Sequence, residues 1–331
     1  MNVVRGRYMR MKKIISFILV LLICSNFCCF SSAAQIEEEI FLEEQTGCIP
    51  EEVISDFEEN IRRAEMLEDS SVSEFEIYKK AENMSISELV DAGYSLEVAN
   101  KIKNGELEET ILQAVFERAS LPEDTLSNMG YTREEIRKMK SLTGEETLSE
   151  IEALDVSAEV TCYNYLRSHY YKKQENKTYF IVSFGWQWSK TPIMLLTDCV
   201  GLGWNHDFHP ENLSSSYNKH YITYLNKNDA LDTQSLTQNL VEKNLQTSES
   251  IVDVQILHGL KYYWAKSGTG DMCLSQIGKA SNVKFTMKYG HNEMGIAPSV
   301  GYPWSISFSL TEAESIFQPP ELEYSAAPTE V

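Results

Sequence analysis

The chain has 331 residues, of which 49 are acidic and 29 are basic, so its formal net charge is −20. A protein with this excess of negative charge has no electrostatic attraction for nucleic acid or for an anionic membrane surface, and the sequence excludes both as partners. The charge is unevenly distributed, because residues 35–155 carry a net charge of −21 and residues 156–331 a net charge of only −4.

The first 34 residues have the three parts of a secretory signal peptide. Five basic residues precede an apolar run from Ile14 to Cys24, and the small residues Ser32 and Ala34 follow at the positions a signal peptidase requires. The apolar run is short for a membrane span, which needs about 20 apolar residues, and an uncleaved anchor is the alternative. We therefore predict cleavage after Ala34, a secreted or cell-envelope location, and no membrane contact beyond the signal.

A change in composition accompanies the change in charge near residue 155, because all five tryptophans follow it. The chain that remains after signal cleavage is long enough for about two domains. We predict an α+β protein in separate domains, with an acidic helical region over 35–155, an all-β antiparallel sandwich over 156–317 and a flexible tail over 318–331.

The helical region contains a repeated helix-turn-helix pattern. The segment Leu89–Glu97 matches the segment Leu126–Glu134 at a constant offset of 37 residues. Gly93 and Gly130 fit the left-handed residue that ends a helix, and the serine or threonine two positions later fits the cap of the next helix. The pattern predicts short helical units that repeat along the chain.

Alternating apolar and polar residues are typical of β-structure in the second region. Residues 177–188 and 283–289 each place their apolar side chains on one face. This period of two predicts about seven to nine half-buried antiparallel strands, which pack naturally as a sandwich. Residues 230–244 are polar, and for them we predict one helix or a long loop.

Seven cysteines are present, and three of them lie within the signal peptide. The others are far apart and include no Cys-x-x-Cys pair, so a structural zinc site is not expected. An oxidising compartment permits disulfides, but the sequence leaves their pairing open. The cysteines of the mature chain are Cys48, Cys162, Cys199 and Cys273.

Residues 198–202 (Asp-Cys-Val-Gly-Leu) resemble the Asp-Cys-Ser-Gly-Leu nucleophile motif of secreted endopeptidases that cleave peptidoglycan stem peptides. The resemblance implies that Cys199 attacks an amide, with His258 or His291 as the base that generates its thiolate. The match covers five residues and departs at Val200, where the family has serine. In that family the cysteine starts a helix, whereas the local alternation with glycine here favours a strand.

Two other groups of residues are candidate binding sites. His206 and His209 could bind a metal, but no third ligand is placed beside them, so we predict an exposed turn and no metal or other cofactor. Tyr262, Tyr263 and Trp264 are consecutive on a predicted strand, and at least one of them should point outward. A flat outward ring can stack on a sugar, which makes these three residues a candidate carbohydrate platform.

The whole chain resembles uncharacterised secreted proteins of Gram-positive bacteria. The resemblance rests on the signal, the Gly-Tyr-Ser/Thr-x-Glu units, and the Trp186-x-Trp188 and Tyr289-Gly290-His291 elements. It implies no particular activity. We predict a secreted or cell-surface, non-enzymatic protein whose β-sandwich binds an extracellular glycan or protein, with a cell-wall cysteine endopeptidase as the alternative and a purely structural envelope protein as a third class.

Overall fold

The computed structural model of the protein describes only part of the chain. The predicted signal peptide, Cys48 and the first repeat turn at Gly93 lie outside the described residues. The described residues are 57–66, 71–91, 96–195, 197–205, 207–214, 216–244, 247–253, 255–291 and 322–331.

Short helices make up most of the described chain before residue 155. Several begin at a hydroxyl side chain that caps the helix in a reciprocal capping box, at Ser73, Thr132 and Thr147. Their apolar side chains form one core, which includes Phe75, Leu126 and Met139. The helices are α1 (Phe57–Glu65), α2 (Glu74–Asn83), α3 (Ile86–Asp91), α4 (Leu96–Lys103), α5 (Glu106–Ser120), α6 (Glu123–Asn128), α7 (Arg133–Lys140) and α8 (Leu148–Glu152).

The remaining described chain is dominated by β-strands. The strands are β1 (Ser71–Ser73), β2 (Glu159–Lys172), β3 (Lys177–Trp188), β4 (Thr197–Trp204), β5 (His209–Pro210), β6 (Lys219–Asn226), β7 (Asp229–Asn239), β8 (Val241–Asn244), β9 (Thr247–Asp253), β10 (Gln255–His258), β11 (Lys261–Ile277), β12 (Asn282–Gly290), β13 (Leu322–Ser325) and β14 (Thr329–Glu330). Sheet A has the order β1-β2-β3-β11-β6-β7, with β5 and β10 beside β11 and β14 beside β2. Sheet B has the order β13-β12-β4-β9-β8.

The two sheets share one hydrophobic core. Trp186 and Trp188 of β3 are buried with Leu202 of β4 and with Phe285 and Tyr289 of β12. These are the side chains that the alternating sequence pattern assigns to one face of each strand. All strand pairs except that between β14 and β2 are antiparallel, which confirms the prediction of a mostly antiparallel β-structure.

Residues 230–244 are neither a helix nor a long loop, so that prediction is wrong. They form most of β7 and all of β8, which are the outer strands of sheet A and sheet B. An edge strand has one neighbour and a mostly solvated surface, so it does not need an apolar stripe. Of the residues in β7, Leu236 alone is buried, which explains why the sequence there does not show a half-buried strand.

The end of the chain also differs from the predicted flexible tail. Residues 322–325 pair with β12 as strand β13, and residues 329–330 pair with β2 as strand β14. The tail therefore adds one strand to each sheet. Backbone pairing, which the polar and proline-containing sequence does not indicate, holds it in place.

The helical region and the sheets have separate hydrophobic cores, and they also contact each other. Strand β1, which lies between α1 and α2, pairs with β2 at the edge of sheet A. Helix α1 packs on the outer face of the same sheet, where Ile61 and Ala64 contact Tyr163 and the ring of Phe57 lies 6.1 Å from the ring of Tyr163. The acidic region thus covers and extends the sheet.

The β3–β4 connector (residues 189–195) is bound by the helical region through a buried arginine. Arg118 of α5 donates hydrogen bonds to the carbonyl oxygens of Thr191 at 3.2 Å, Pro192 at 2.8 Å and Ile193 at 3.2 Å. The guanidinium also donates to the phenol oxygen of Tyr131 at 3.0 Å. Several donors in a fixed planar arrangement allow one arginine to satisfy a run of carbonyl groups that would otherwise be buried without partners.

Gly130 allows the second repeat turn to approach the connector. Its φ of +93° is a left-handed conformation that ends α6, and a Cβ atom there would lie 3.0 Å from Cα of Lys190. The next residue, Tyr131, donates to the carbonyl oxygen of Thr191 at 3.1 Å. The Gly-Tyr-Thr turn of this copy therefore packs against the β3–β4 connector. The corresponding turn of the first copy lies outside the described residues.

Among the described residues, no helix combines the length and the apolar composition that crossing a bilayer would require.

We expect the mature protein to unfold in one cooperative transition, because the helices and the sheets share strands, a connector and buried charges. Tryptophan fluorescence reports the β-part and far-ultraviolet circular dichroism reports mainly the helices, so both signals should give the same denaturant midpoint. Two separated midpoints would contradict a single folding unit.

Candidate functional site

A buried carboxylate cluster (Glu74, Asp198 and His291) lies where the helices meet both sheets. Glu74 is the first residue of α2, directly after β1, and its side chain is 3% exposed. Its carboxylate accepts the backbone N–H groups of Ile193 at 2.9 Å and Met194 at 3.1 Å. A buried carboxylate needs such donors, because without them its desolvation would be strongly unfavourable.

His291 connects the two acids. Its Nδ1 lies 2.8 Å from Oδ1 of Asp198 and its Nε2 lies 3.3 Å from Oε1 of Glu74. Both ring nitrogens face carboxylate oxygens, which is the arrangement of an imidazolium that donates to two acceptors. Burial alone would lower the pKa of His291, but the charges and hydrogen bonds of Asp198 and Glu74 outweigh it and raise the pKa well above its usual value.

The cluster continues into the core between the sheets. Tyr289 donates its hydroxyl proton to Oδ2 of Asp198 at 2.5 Å, and Trp188 donates from Nε1 to the Tyr289 oxygen at 3.1 Å. Burial and the neighbouring Asp198 charge raise the pKa of Tyr289 well above its usual value, which keeps the phenol protonated as a donor. The side chains of Asp198 and His291 are both 0% exposed, so neither is in contact with solvent.

Cys199 is part of a paired strand. It lies in β4, opposite Ile251 of β9 on one side and Gly290 of β12 on the other. Asp198 and Cys199 are consecutive and project from opposite faces of the strand. Both ring nitrogens of His291 are directed at carboxylates, so the structure does not present this histidine as a base for the thiol.

Of the other candidate histidines, the structure describes the side chain of His209 alone. His258 ends β10 opposite Lys261, and its side chain lies outside the described residues, as does His206. His209 is exposed and pairs with Ser275. Among the described residues, no three His, Cys, Asp or Glu side chains are arranged so that they could hold a metal ion.

The predicted aromatic platform is mostly internal. Tyr263 is 1% exposed and Trp264 is 2% exposed, and both belong to the core between the sheets. Tyr262 is 38% exposed, but the ammonium of Lys227 lies 4.2 Å from the centre of its ring. One outward ring, already covered by a cation, is a poor surface for stacking a sugar.

A different concave surface, which we call the edge groove, lies where β6 begins and β7 ends. It has a volume of about 450 Å³. This is within the range of about 300–1,000 Å³ that small-molecule sites usually occupy. The groove is lined by Pro210, Asn212, Ser214, Tyr217, Asn218, Lys219, Asn239, Leu240, Ser248 and Met272.

Asn218 fixes the loop that forms one wall of the edge groove. Its φ is +58°, a left-handed conformation that asparagine tolerates better than most residues. Its side-chain amide donates to the Glu211 carbonyl at 3.1 Å and to Oδ1 of Asn212 at 2.8 Å, and its Oδ1 accepts the Cys273 N–H at 3.2 Å. The loop is therefore held to β11 before any ligand arrives.

Glu211 anchors the same loop from outside the groove. Its carboxylate accepts hydrogen bonds from Lys177 at 2.8 Å and Ser275 at 2.6 Å, and these two donors lower its pKa below the usual value. This acid, two residues after His209 in the chain, is thus engaged with a lysine and a serine.

Two polar side chains that line the edge groove make no hydrogen bond to the described part of the protein. Neither the Lys219 ammonium nor the Asn239 side-chain amide has a hydrogen-bond partner among the described residues. Asn212 and Ser214 are also exposed at its rim. Amides and hydroxyls that face a rigid concavity can exchange paired hydrogen bonds with the hydroxyl groups of a ligand.

Sequence reasoning missed this groove and also missed Glu74 and Arg118. The one available sign of the groove was the Asn/Ser-rich stretch at residues 211–219, which is typical of a loop that carries function. Glu74 and Arg118 look like ordinary solvated helix residues, because nothing near them in the chain shows that a connector packs against them.

Comparisons with known proteins give no family. No protein-family model matches the chain, and no curated protein matches it. Similar solved structures include a pore forming protein (6% identity, 40% of this chain and 79% of that chain, TM-score 0.22) and Clostridium perfringens delta-toxin (8% identity, 52% and 81%, TM-score 0.20). The KRT10-binding region domain of the pneumococcal serine-rich repeat protein PsrP is another (9% identity, 51% and 98%, TM-score 0.21). At these TM-scores the likeness carries no argument about function.

We expect Glu74→Gln and His291→Gln each to lower the free energy of unfolding by about 3–5 kcal/mol, because each leaves a buried charge without its partner. Urea denaturation at neutral pH measures the loss. Glu82→Gln, on the exposed side of the same helix, is the matched control and should change stability by less than about 0.5 kcal/mol. Equal small effects for all three variants would contradict the buried cluster.

We also expect the loss of stability in His291→Gln to depend on pH. A histidine whose pKa is raised on folding contributes its full stability below the unfolded pKa of about 6.5, and this contribution is lost as the pH rises through the folded pKa. The stability difference between the wild type and His291→Gln should therefore shrink as the pH is raised above about 6.5. A difference that grows with pH would contradict an imidazolium at this position.

We expect Cys162 and Cys273 to resist alkylation in the native protein at about pH 8. Both are buried, and burial raises the pKa of Cys162 well above its usual value and that of Cys273 to about 12, so neither supplies the reactive thiolate. Mass spectrometry before and after unfolding measures the protection. Rapid native labelling of either residue would contradict the packing.

Proposed function

We propose that this chain is an exported, non-enzymatic protein of the cell surface or the extracellular medium, and that its β-part binds a hydroxyl-rich extracellular ligand, a glycan, in the edge groove. The observation that carries the proposal is the unpartnered amide of Asn239 and ammonium of Lys219, at the paired ends of β7 and β6 beside the loop that Asn218 already holds rigid. A preformed loop loses little conformational freedom on binding.

The lining of the groove supports a carbohydrate over an apolar ligand. Amide and hydroxyl groups from Asn212, Ser214 and Asn239 can each donate and accept, as sugar hydroxyls require. Tyr217 adds an aromatic side chain to the same lining, and aromatic surface suits the apolar face of a sugar ring. The volume of about 450 Å³ accommodates one or two sugar rings.

The proposed architecture keeps the β-sandwich and the acidic helical repeat over 35–155, with the helical region in contact with the sheets. The helical region is joined to the sheets through Arg118 and Glu74, so it supports the connector behind the β-part. Export by the signal at residues 1–34 gives the binding surface its extracellular setting.

The placement of Cys199 favours binding over the endopeptidase alternative. The family resemblance requires a cysteine at the start of a helix beside a histidine, whereas Cys199 lies within a strand that is paired on both sides. No observation on the described residues specifically favours the peptidase. Rapid alkylation of Cys199 at mildly acid pH would reveal an activated thiolate and would replace binding with the peptidase.

The proposal predicts that the mature protein is retained on purified cell-wall polysaccharide without releasing sugars or peptides. Asn239→Ala and Lys219→Ala should each weaken retention about fivefold to tenfold, since each removes a hydrogen bond worth about 1 kcal/mol or somewhat more. Binding isotherms on the immobilised polysaccharide measure the change.

Two control variants make this experiment specific. Asn104→Ala removes an exposed amide from the helical region and should leave retention unchanged. Tyr262→Ala removes the outward ring of the sequence-predicted platform and should also leave it unchanged. Loss with Tyr262→Ala but not with Asn239→Ala would move the site to that ring, and no retention of the wild type would contradict the proposal.

A further inference from the structure

Two β-hairpins end side by side at the opposite end of β6 and β7 from the edge groove. The β6–β7 turn and the β10–β11 turn are neighbours, because Asn226 pairs with Tyr263 and the Lys227 N–H donates to the Tyr262 carbonyl at 3.1 Å. We call residues 227–231 and 259–262 the hairpin tip. Gly259, at φ +61°, makes the tight second turn.

The hairpin tip exposes large apolar side chains. Leu260 is 101% exposed, Leu231 is 93% exposed and Tyr262 is 38% exposed. Turns and strand ends usually carry glycine, asparagine, aspartate or serine for conformational reasons, and nothing in the turn geometry calls for leucine. Two leucines on adjacent hairpins therefore need a reason outside the folding of this chain.

The exposed leucines of the tip lie beside a bonded group of side chains. Asp232 bonds Lys261 at 2.6 Å and Tyr263 at 3.0 Å, so these three side chains lie together on one face of the β6–β7–β11 end. Leu260 precedes Lys261 in the β10–β11 turn, and Leu231 precedes Asp232 in the irregular start of β7. Tyr262, between Lys261 and Tyr263 in β11, points to the other face. The Lys227 ammonium, 4.2 Å from the Tyr262 ring centre, lies on that face too.

The sequence predicts no membrane contact beyond the signal, but the exposed residues of the tip point the other way, and we propose that the hairpin tip enters the interfacial layer of a lipid bilayer. Separate, fully projecting leucines fit a fluid apolar medium, which needs no complementary hollow, whereas a protein partner would need a pocket for each side chain. A tyrosine ring with a lysine ammonium beside it is the combination that lies at headgroup level, with the ring half-immersed and the ammonium in water.

The net charge of the chain limits which bilayer the tip can meet. A protein with a net charge of −20 is repelled by an anionic surface, and the tip itself pairs its Lys261 with Asp232 and so offers little compensating charge. Contact therefore depends on the apolar side chains and is strongest with a zwitterionic lipid or at raised ionic strength. This contact is independent of the proposed glycan site.

Flotation of the mature protein with phosphatidylcholine vesicles tests the proposal. The wild type should float with the vesicles, and Leu231→Ser with Leu260→Ser should lower the binding constant about a hundredfold or more, because each leucine contributes a tenfold factor or more when it leaves water. Vesicles that contain phosphatidylglycerol should bind less protein at low salt, and the amount of bound protein should rise as salt is added.

Ile277→Ser is the matched control. Ile277 is 76% exposed at the other end of β11, so it tests exposed apolar surface that is not at the tip and should leave flotation unchanged. An equal loss for Ile277→Ser, or no flotation of the wild type, would overturn the proposal. Self-association without lipid that disappears in the double leucine variant would assign the tip to a protein contact and would also overturn it.

Discussion

The rest of the structure depends on the hydrogen bonds that the buried carboxylate of Glu74 accepts. It lies at the junction of the helices, the β3–β4 connector and the end of β12, and it accepts hydrogen bonds from the N–H groups of Ile193 and Met194 and from Nε2 of His291. A charge at this depth is tolerable only when every neighbour supplies a donor, so its position fixes three segments relative to one another.

At this junction the acidic region supports the β3–β4 connector, which its composition does not indicate. Its excess of negative charge resembles that of a solvated stalk, yet two of its charged side chains, Glu74 and Arg118, are buried against the connector. They satisfy opposite backbone groups, since Glu74 accepts N–H groups and Arg118 donates to carbonyl groups. The connector therefore has its hydrogen bonds completed without belonging to either sheet. The strands that carry the edge groove are consequently held in one unit with the helices.

Local patterns in the sequence predicted those structural features that depend only on residues close together in the chain. The inward face of β3 follows directly from alternation, and the Thr132 cap and the Gly130 turn follow from residue types with particular backbone preferences. The edge strand β7 escaped prediction because a strand with one neighbour and a solvated surface carries no apolar stripe.

The candidate sites were harder to predict, because they join residues that are far apart in the chain. Glu74 and His291 are 217 residues apart, and the sequence contains no sign of their contact. His291 and Asp198 did stand out, but as parts of a supposed peptidase motif, since a histidine and an acid suggest catalysis until their partners are known. Tyr263 and Trp264 were reasonable surface candidates by residue type, and only the packing of the sheets shows that they are internal.

Native-state hydrogen exchange at the amides of Ile193 and Met194 tests most directly whether Glu74 makes the helices and sheets one unit. The account predicts that both amides exchange only through global unfolding, with the same opening free energy as Val182 in the middle of β3, and that Glu74→Gln releases them into faster local exchange. Rapid exchange of Ile193 and Met194 in the wild type, while Val182 remains protected, would contradict it.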